Sequence, residues 1–386
     1  MNWLISKMKG DIYIWLIVLA LSFFSVLAVY SSSGTLAYKF QGGNTEYYLI
    51  KHFLLLGFGL FIMYVVHLIH YRFFYPIATV ALILSIPLLI FTYFLGLDIN
   101  EARRWIMLPG INLTFQTSDF AKLALIMFVA KYLSSYQDNV DEFKTTFLPL
   151  ITAVGFICGL IAPADFSTAG ILFLSALMLM FIGRIQLRYI GSLIGLGVVG
   201  LGFIVLIGTI NPDWARVKTW EGRFDSFLTE DGGSYQNRQA KIAIAGSGLV
   251  WGKGPGNSTQ RNFLPNPFSD FIFAIVIEEY GILFGGGFLI FLYLALVYRT
   301  IIIVMHSPHA FGALLAAGLS FSLAFQALVN MAVTTHLLPA TGLPLPIVSM
   351  GGTSLWFTSI SLGIILSVSK VAEEGKLEKT EKAINS

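Results

Sequence analysis

The sequence has little charge for its length and almost no cysteine. Of its 386 residues, 12% are charged and one is a cysteine, whereas about 25% of the residues in a soluble chain are charged. The single cysteine, Cys158, excludes an internal disulfide framework and a cysteine-rich metal site. A net charge of +3 provides no strong basic field. Soluble enzymes, disordered scaffolds and nucleic-acid-binding proteins are therefore excluded.

Hydrophobic residues, which make up 56% of the chain, take the place of the missing charge. Apolar stretches suited to helical membrane crossings recur along the sequence, and open strand edges are not viable in lipid. We therefore predict an all-α polytopic membrane protein. Its ten or so transmembrane helices are expected at residues 12–30, 48–69, 75–95, 118–133, 146–162, 168–183, 190–210, 270–298, 310–333 and 354–369.

Basic residues are distributed unevenly between the two sides of the predicted membrane. Twelve lie in the termini and in alternate short loops, whereas the opposite short loops hold Lys39, Arg103 and Arg104. Because cytoplasmic loops are enriched in lysine and arginine, we predict that both termini are cytoplasmic. Residues 211–269 then form one large extracytoplasmic loop.

Charged residues near the spans mark candidate functional positions, because charge in lipid is unfavourable. Asp119 and Lys122 lie three residues apart on one helix face, close enough to pair. This spacing fits both an ion pair that eases insertion and a functional cationic or coupling position. Asp270 and Glu278 are predicted to face one cavity, while Glu279 points the opposite way. A purely structural helix cap is the alternative for Asp270.

Two outer turns carry further candidates. Arg103 and Arg104 stand where the orientation rule disfavours basic residues, and a guanidinium group suits a pyrophosphate. The adjacent Trp105 fits either stacking on a sugar or a place in the aromatic belt. Asp165, in the short turn after the fifth span, is predicted to cap the next helix.

Proline and glycine interrupt the apolar segment 338–354, between the last two spans. This composition excludes a regular helix. Irregular backbone at membrane depth is tolerated only where it is buried in protein or lines a cavity. We therefore predict a re-entrant Pro/Gly segment that forms one wall of a site open to the outside, with Ser349 as a candidate binding residue.

Four motifs in this chain resemble those of the SEDS family, the RodA and FtsW glycosyltransferases of bacterial peptidoglycan synthesis. They are Arg103–Ile106, Gln116–Lys122, Leu264–Glu279 and Leu338–Ser354. The resemblance covers about residues 10–370. The chain departs from the family pattern where Thr117 replaces proline and Asp119 replaces glutamate. Residues 254–261 resemble the FtsW division branch more than the RodA elongation branch.

The resemblance implies a single SEDS-type domain over residues 1–386 in the bacterial cytoplasmic (inner) membrane. Its transmembrane core would span residues 10–370 and its cytoplasmic tail residues 371–386. It implies polymerisation of lipid II into glycan strands on the outer face, with release of undecaprenyl pyrophosphate, for septal or lateral cell-wall synthesis. The implied partner is a single-pass class B penicillin-binding protein in a division or elongation complex.

By the same resemblance, Asp270 is the essential carboxylate, and we expect it to act as a general base. Arg104, Lys122 and Arg223 are expected to stabilise the pyrophosphate, and a divalent cation (Mg²⁺ or Mn²⁺) is a further candidate for that task. The remaining candidate substrate-binding residues are Arg103, Trp105, Asp119, Glu278 and Ser349.

A lipid II flippase or another transporter is the alternative from a different function class. Asp119, Lys122 and Glu278 would then be coupling residues, and the outer loop would form a lid. A carrier needs ionisable groups near the membrane midplane, whereas these residues gather toward the outer surface. The residues alone do not decide between the two classes, and the family resemblance favours the transferase.

Overall fold

The fold is a bundle of helices joined by mostly short connections. The computed structural model describes residues 9–34, 36, 38, 42–99, 102–108, 113–139, 142–210, 217–228 and 235–384. Lys7, Lys39 and two parts of the predicted outer loop, 211–216 and 229–234, lie outside the described residues.

Thirteen α-helices are formed within the described residues. In chain order they are α1 (Ile12–Ser32), α2 (Thr45–Leu68), α3 (Phe74–Leu95), α4 (Thr117–Ser135), α5 (Leu148–Ile161), α6 (Phe166–Ile182), α7 (Leu187–Ile210), α8 (Val217–Leu228), α9 (Tyr235–Ala245), α10 (Ile272–Tyr280), α11 (Phe288–His306), α12 (Ala310–Thr334) and α13 (Thr353–Ile384). Short 3-10 helices lie at Tyr71–Phe73, Gln137–Asn139 and Gln260–Asn262, and π-helices at Phe143–Phe147 and Ile282–Gly287.

Membrane-crossing helices make up most of the structure, which confirms the predicted polytopic architecture. In the part of the chain that the structure describes, eight helical segments are long and apolar enough to cross a bilayer. The shorter α6 and the more charged α4 occupy two further predicted spans. In their most apolar stretches, α12 and α13 are 72% buried and α7 is 11% buried. The predicted re-entrant segment therefore connects the two helices at the centre of the bundle.

The outer connection between α3 and α4 is a small antiparallel sheet, which the all-helical prediction did not include. Its strands are β1 (Leu97–Ile99), β2 (Ala102–Leu108) and β3 (Leu113–Gln116), in that order. Trp105 on β2 lies opposite Gln116 on β3. The Thr353 hydroxyl accepts from the Gln116 N–H at 3.3 Å and donates to the Thr114 carbonyl at 2.9 Å. These bonds join the sheet to the start of α13.

The predicted eighth span, 270–298, is not one helix. α10 ends at Tyr280, and the φ of +90° at the following Gly281 lies in the region that favours glycine. A β-carbon at this position would lie 2.6 Å from the Val250 carbonyl oxygen, so the outer loop packs against the break. The membrane-crossing segment begins only at Ile282. Asp270 therefore lies before α10, outside the spans.

The segment between α12 and α13 forms no helix, as predicted. Two non-glycine residues in it, His336 and Ile347, have φ values of +62° and +67°. A left-handed conformation is rare for a β-branched residue and persists only where neighbouring contacts hold it. After this segment, α13 continues without a break through the predicted tail boundary at residue 370.

Candidate functional site

Asp270 lies where two adjoining chambers meet. The first, the arginine chamber, has a volume of about 350 Å³ and is lined by Arg104, Trp105, Asp165 and Arg223, among others. The predicted outer-loop residues Arg104 and Trp105 are thus brought to Asp270 by the sheet. Arg223, on α8, reaches the same place from the predicted outer loop.

The second chamber, which we call the amide chamber, has a volume of about 440 Å³. Its lining includes the amide side chains of Gln236, Asn266 and Asn330. Asp270 and Arg223 line both chambers. One carboxylate is therefore accessible from a cationic side and from a largely neutral side.

The backbone that carries Asp270 is held from two directions. The carbonyls of residues 268–270 accept, in order, from the Met350 N–H at 3.0 Å, the Ser349 hydroxyl at 2.6 Å and the Asn330 amide at 2.8 Å. Asn330 lies on α12, and the other two donors belong to the re-entrant segment. Because these bonds fix the backbone, the Asp270 side chain starts from a defined position.

The re-entrant segment is itself held by side chains from three helices. Gln326 donates to the carbonyl of residue 344 at 2.9 Å, Tyr293 to that of residue 346, and Ser25 to that of residue 348 at 2.9 Å. These bonds flank Ile347 and account for its left-handed conformation. The wall of the site is therefore built rigidly.

Burial raises the pKa of the Asp270 carboxyl above its ordinary value. A hydrogen bond from the Ser269 hydroxyl, at 2.9 Å, and the charges of Arg223 and Arg104 act in the opposite direction, while Asp165 adds to the rise. A carboxylate with a raised pKa is a stronger proton acceptor, which is the property a general base needs.

Asp165 holds Arg104 in the arginine chamber. Their side chains form an ion pair at 3.1 Å and are 3% and 12% exposed, and Arg104 also donates to the Ala164 carbonyl at 2.9 Å. Asp165 accepts from the backbone N–H and the hydroxyl of Thr168, which confirms that it caps α6. A guanidinium held at two of its nitrogens is preorganised for an anionic ligand.

Arg223 is the second cation of the arginine chamber. It donates to the carbonyls of Ala340 and Thr341 at 3.1 and 3.4 Å. These bonds connect α8 of the outer loop with the re-entrant segment. Both bonds use one nitrogen, so the other guanidinium donors remain for a ligand.

Asp119 and Lys122 lie apart from Asp270. They form the predicted ion pair, at 3.3 Å, beside a separate cavity of about 10 Å³. Lys122 also donates to Gln326 at 2.9 Å, and Gln326 in turn holds the re-entrant segment. The expected contact between Lys122 and a pyrophosphate is therefore replaced by an indirect connection through Gln326.

The prediction that Glu278 shares a cavity with Asp270 is wrong. α10 begins only at Ile272, after Asp270, and its C-terminal end, which carries Glu278, packs against the outer loop. The fully buried Glu278 carboxylate accepts from Lys253 at 2.6 Å, Ser258 at 2.5 Å and Thr259 at 2.8 Å. Glu279 accepts from the Ser31 hydroxyl of α1 and from the Ser258 N–H at 3.3 Å, so both carboxylates contact the outer loop at Ser258.

Two more predicted binding residues have structural contacts instead. The exposed Arg103 donates to the Phe94 carbonyl at 3.2 Å and lines neither chamber. Ser349 is 2% exposed, and its hydroxyl accepts from the Leu345 N–H besides donating to Ser269. Its position beneath the Asp270 backbone gives Ser349 an indirect connection to the site.

Sequence reasoning missed the three amide residues and the pairing of Asp165 with Arg104. Asn330 carried a usable signal, since it is a polar residue within a predicted span. Gln236 and Asn266 carried none, because amides are ordinary in an outer loop. Their relevance follows only from their position beside Asp270.

Comparison with known proteins gives a consistent result over nearly the whole chain. The model of the family that comprises FtsW, RodA and SpoVE, described as "Cell cycle protein", matches residues 11–374. Probable peptidoglycan glycosyltransferase FtsW of Geobacter sulfurreducens is 35% identical over 376 residues, covering 94% of this chain and 95% of that protein. Stage V sporulation protein E of Bacillus subtilis is 30% identical over 372 residues, with coverages of 95% and 98%.

Solved structures share the fold. A chain from the structure described as "Structural coordination of polymerization and crosslinking by a peptidoglycan synthase complex" matches with a TM-score of 0.71 and 24% identity, over 94% of this chain and 98% of that one. The rod shape determining protein RodA of Thermus thermophilus matches with a TM-score of 0.66 and 23% identity, over 96% and 98%.

Proposed function

The chain belongs to the FtsW/RodA/SpoVE family, and on that premise we propose that it is a peptidoglycan glycosyltransferase that polymerises lipid II into glycan strands. The observation that carries the proposal is the position of Asp270, between a chamber with two fixed arginines and a chamber lined by amides. One side suits a leaving pyrophosphate, and the other suits an attacking sugar.

The reaction needs one base and one anion site. The 4-hydroxyl of the GlcNAc of one lipid II attacks the anomeric carbon of the growing strand. The new carbon–oxygen bond forms as the bond to the pyrophosphate breaks, and undecaprenyl pyrophosphate leaves with the electron pair. Asp270 takes the hydroxyl proton, and its raised pKa favours this role.

Arg104 and Arg223 stabilise the charge that develops on the leaving pyrophosphate. Both guanidinium groups are held by protein contacts before any ligand binds. Preorganised donors of this kind need no reorganisation as the charge develops, which is what makes them effective. Trp105 lines the same chamber, where its ring suits packing against the substrate.

A divalent cation at this site is a further part of the proposal. Among the described residues, no group of three or more His, Cys, Asp or Glu side chains could hold a metal by itself. Mg²⁺ is commonly bound by one or two carboxylates together with substrate phosphates. Both oxygens of Asp165 already accept hydrogen bonds and Asp270 is the proposed base, so the substrate pyrophosphate would supply most ligands of such a cation, which would add positive charge in the arginine chamber.

The chain is a multi-pass membrane protein of the cell-wall machinery. We infer that both termini are cytoplasmic and that Asp270 works at the outer face, as the distribution of basic residues favours. The partner we propose is a class B penicillin-binding protein. The likeness to a chain from a peptidoglycan synthase complex is consistent with such an assembly.

The test is polymerisation of lipid II by the purified protein, with and without the partner, beside a vesicle assay of lipid II translocation. Glycan strands are expected from the wild type, and only a small residual amount is expected from Asp270→Asn. Translocation without any polymer would favour the transporter instead. Undiminished polymerisation by Asp270→Asn would remove Asp270 from the chemistry.

A further inference from the structure

The two chambers beside Asp270 differ in charge. The arginine chamber holds Arg104 and its partner Asp165. Of the described residues that line the amide chamber, Arg223 and Asp270 alone are charged, and both stand at the boundary with the arginine chamber. The interior of the amide chamber therefore offers neutral polar and apolar groups.

Two amide side chains in this chamber are free. Within the described part of the chain, the side chains of Gln236 and Asn266 have no hydrogen-bond partner, and neither residue is buried. The Asn330 amide differs, since it donates to the carbonyls of Asp270 and Leu343. A free amide offers two donors and one acceptor, so Gln236 and Asn266 together can bond several hydroxyl or acetamido groups.

The backbone at Asn266 supports a functional reading of this position. Its φ of +54° lies in the left-handed region, which asparagine tolerates better than most residues. Unusual backbone conformations of this kind concentrate at binding and catalytic sites. Here the conformation belongs to the turn that precedes Asp270 and lies on the border of both chambers.

The rest of the lining suits a sugar ring. Pro265 supplies exposed apolar surface beside the amides, and the largely buried Phe271, Val333 and Leu343 contribute small apolar areas to the wall. Ligand pockets typically combine such apolar surface with a few placed polar groups, in volumes of about 300–1,000 Å³. An uncharged sugar with an acetamido group presents the matching surfaces, namely hydroxyls, an amide and apolar ring faces.

We propose that the amide chamber binds the acceptor sugar, an uncharged N-acetylated saccharide, and that Gln236 and Asn266 determine its recognition. This inference rests on the proposed function, because it names the side from which the attacking hydroxyl reaches Asp270. The hydroxyl gives its proton to Asp270 and its oxygen bonds to the anomeric carbon. The pyrophosphate departs on the opposite side, toward Arg104 and Arg223.

The test measures the affinities of the purified protein for two soluble probes. One probe is the GlcNAc–MurNAc disaccharide without lipid or phosphate and with its lactyl carboxyl blocked as an amide, so that it is uncharged, and the other is inorganic pyrophosphate. Gln236→Met and Asn266→Gly are expected to weaken disaccharide binding by about two- to tenfold each, the range for one hydrogen bond. Glycine suits the positive φ at position 266. Pyrophosphate binding should change by less than a factor of two in Gln236→Met, because Gln236 lines only the amide chamber.

Gln239→Met is the matched control, because Gln239 lies on the same helix but does not line the amide chamber. It should alter neither affinity. Arg104→Gln should weaken pyrophosphate binding and leave the disaccharide affinity unchanged.

The inference is overturned if the wild type does not bind the disaccharide, or if both amide variants bind it as well as the wild type does. Equal losses for both probes would also overturn it. Lipid II polymerisation by the wild type is measured in parallel. A protein that binds the disaccharide through Gln236 and Asn266 but makes no polymer would refute the proposed function and leave the sugar site standing.

Discussion

Replacing Asp270 with asparagine removes the proposed base with almost no change in shape. Asparagine keeps one oxygen near the Ser269 hydroxyl, which now donates to Asp270 at 2.9 Å. The backbone bonds at residues 268–270 do not involve the side chain and should persist. The variant therefore isolates the proton-accepting group from the architecture around it.

The expected loss in kcat is about 10²- to 10⁴-fold, the usual contribution of general acid–base catalysis. The wild-type rate should rise with pH through an apparent pKa above the ordinary aspartate value, since burial raises the pKa of Asp270 and the base must be deprotonated. The residual rate of Asp270→Asn should lack that dependence. Both are measured as the initial rate of glycan formation from lipid II across a pH series.

As the pH rises, the stability contributed by Asp270 should fall while the polymerisation rate rises. A carboxyl whose pKa is raised in the folded state binds more protons there than in the unfolded chain, so stability falls as pH rises from the ordinary pKa through the raised one. At neutral pH the charged Asp270 carboxylate therefore lowers the stability of the folded protein. Asp270→Asn should have a Tm equal to or above that of the wild type in thermal unfolding.

Asp165→Asn is the control carboxylate from the same chamber. Asparagine caps a helix about as well as aspartate, so α6 should persist, but Arg104 loses its ionic partner. This variant should lower kcat/KM for lipid II, with a much smaller fall in kcat than Asp270→Asn, because the Ala164 carbonyl still holds Arg104. A similar fall in kcat for both variants, or a large fall in Tm for Asp270→Asn, would refute the distinct role of Asp270.

Three further substitutions test the contacts around the site. Ser349→Ala leaves the Ser269 carbonyl without its hydrogen-bond donor, so denaturant unfolding should show an unfolding free energy lower by about 1–3 kcal/mol. Steady-state kinetics should show a reduced kcat with little change in KM. An unchanged kcat would show that this bond does not position the site. Arg104→Lys should lower kcat/KM about tenfold, because an ammonium cannot reproduce the planar fork, and an unaltered kcat/KM would exclude Arg104 from the anion site. Glu278→Gln weakens the bond to Lys253 and should destabilise the outer loop by about 1.5–3 kcal/mol, detected as faster proteolysis of that loop with pyrophosphate affinity retained. Proteolysis at the wild-type rate would show that the Glu278–Lys253 ion pair does not hold the loop.

Much of the architecture could be predicted from the sequence, because membrane spans are local. A helix in lipid must satisfy its backbone groups internally and face apolar surroundings, so each span is visible in a single window of sequence. The irregular segment 338–354 was predictable for the same reason, since its closely spaced prolines and glycines together exclude a regular helix, whereas the single Pro87 lies inside α3. The break at Gly281 was not, because its cause is a loop carbonyl at Val250 that packs against it.

The membership of the site could be predicted only in part. Asp270, Arg104, Trp105 and Arg223 do line the cavity, whereas Lys122 does not. A charged residue in a span signals that something must compensate it, but the signal does not say what. For Lys122 the partners are Asp119 and Gln326, and no ligand is needed to explain the position.

The sequence by itself determined that the chain lies in a membrane, where most of its spans run and that a carboxylate, Asp270, lies at the start of a predicted span near one surface. Only the tertiary structure decided that Gln236 lines the same chamber as Asp270 and that Glu278 is paired with Lys253 of the outer loop. The physical reason is that hydropathy belongs to a stretch of neighbouring residues. The contents of a cavity depend instead on which distant segments pack together and which polar groups that packing leaves unsatisfied.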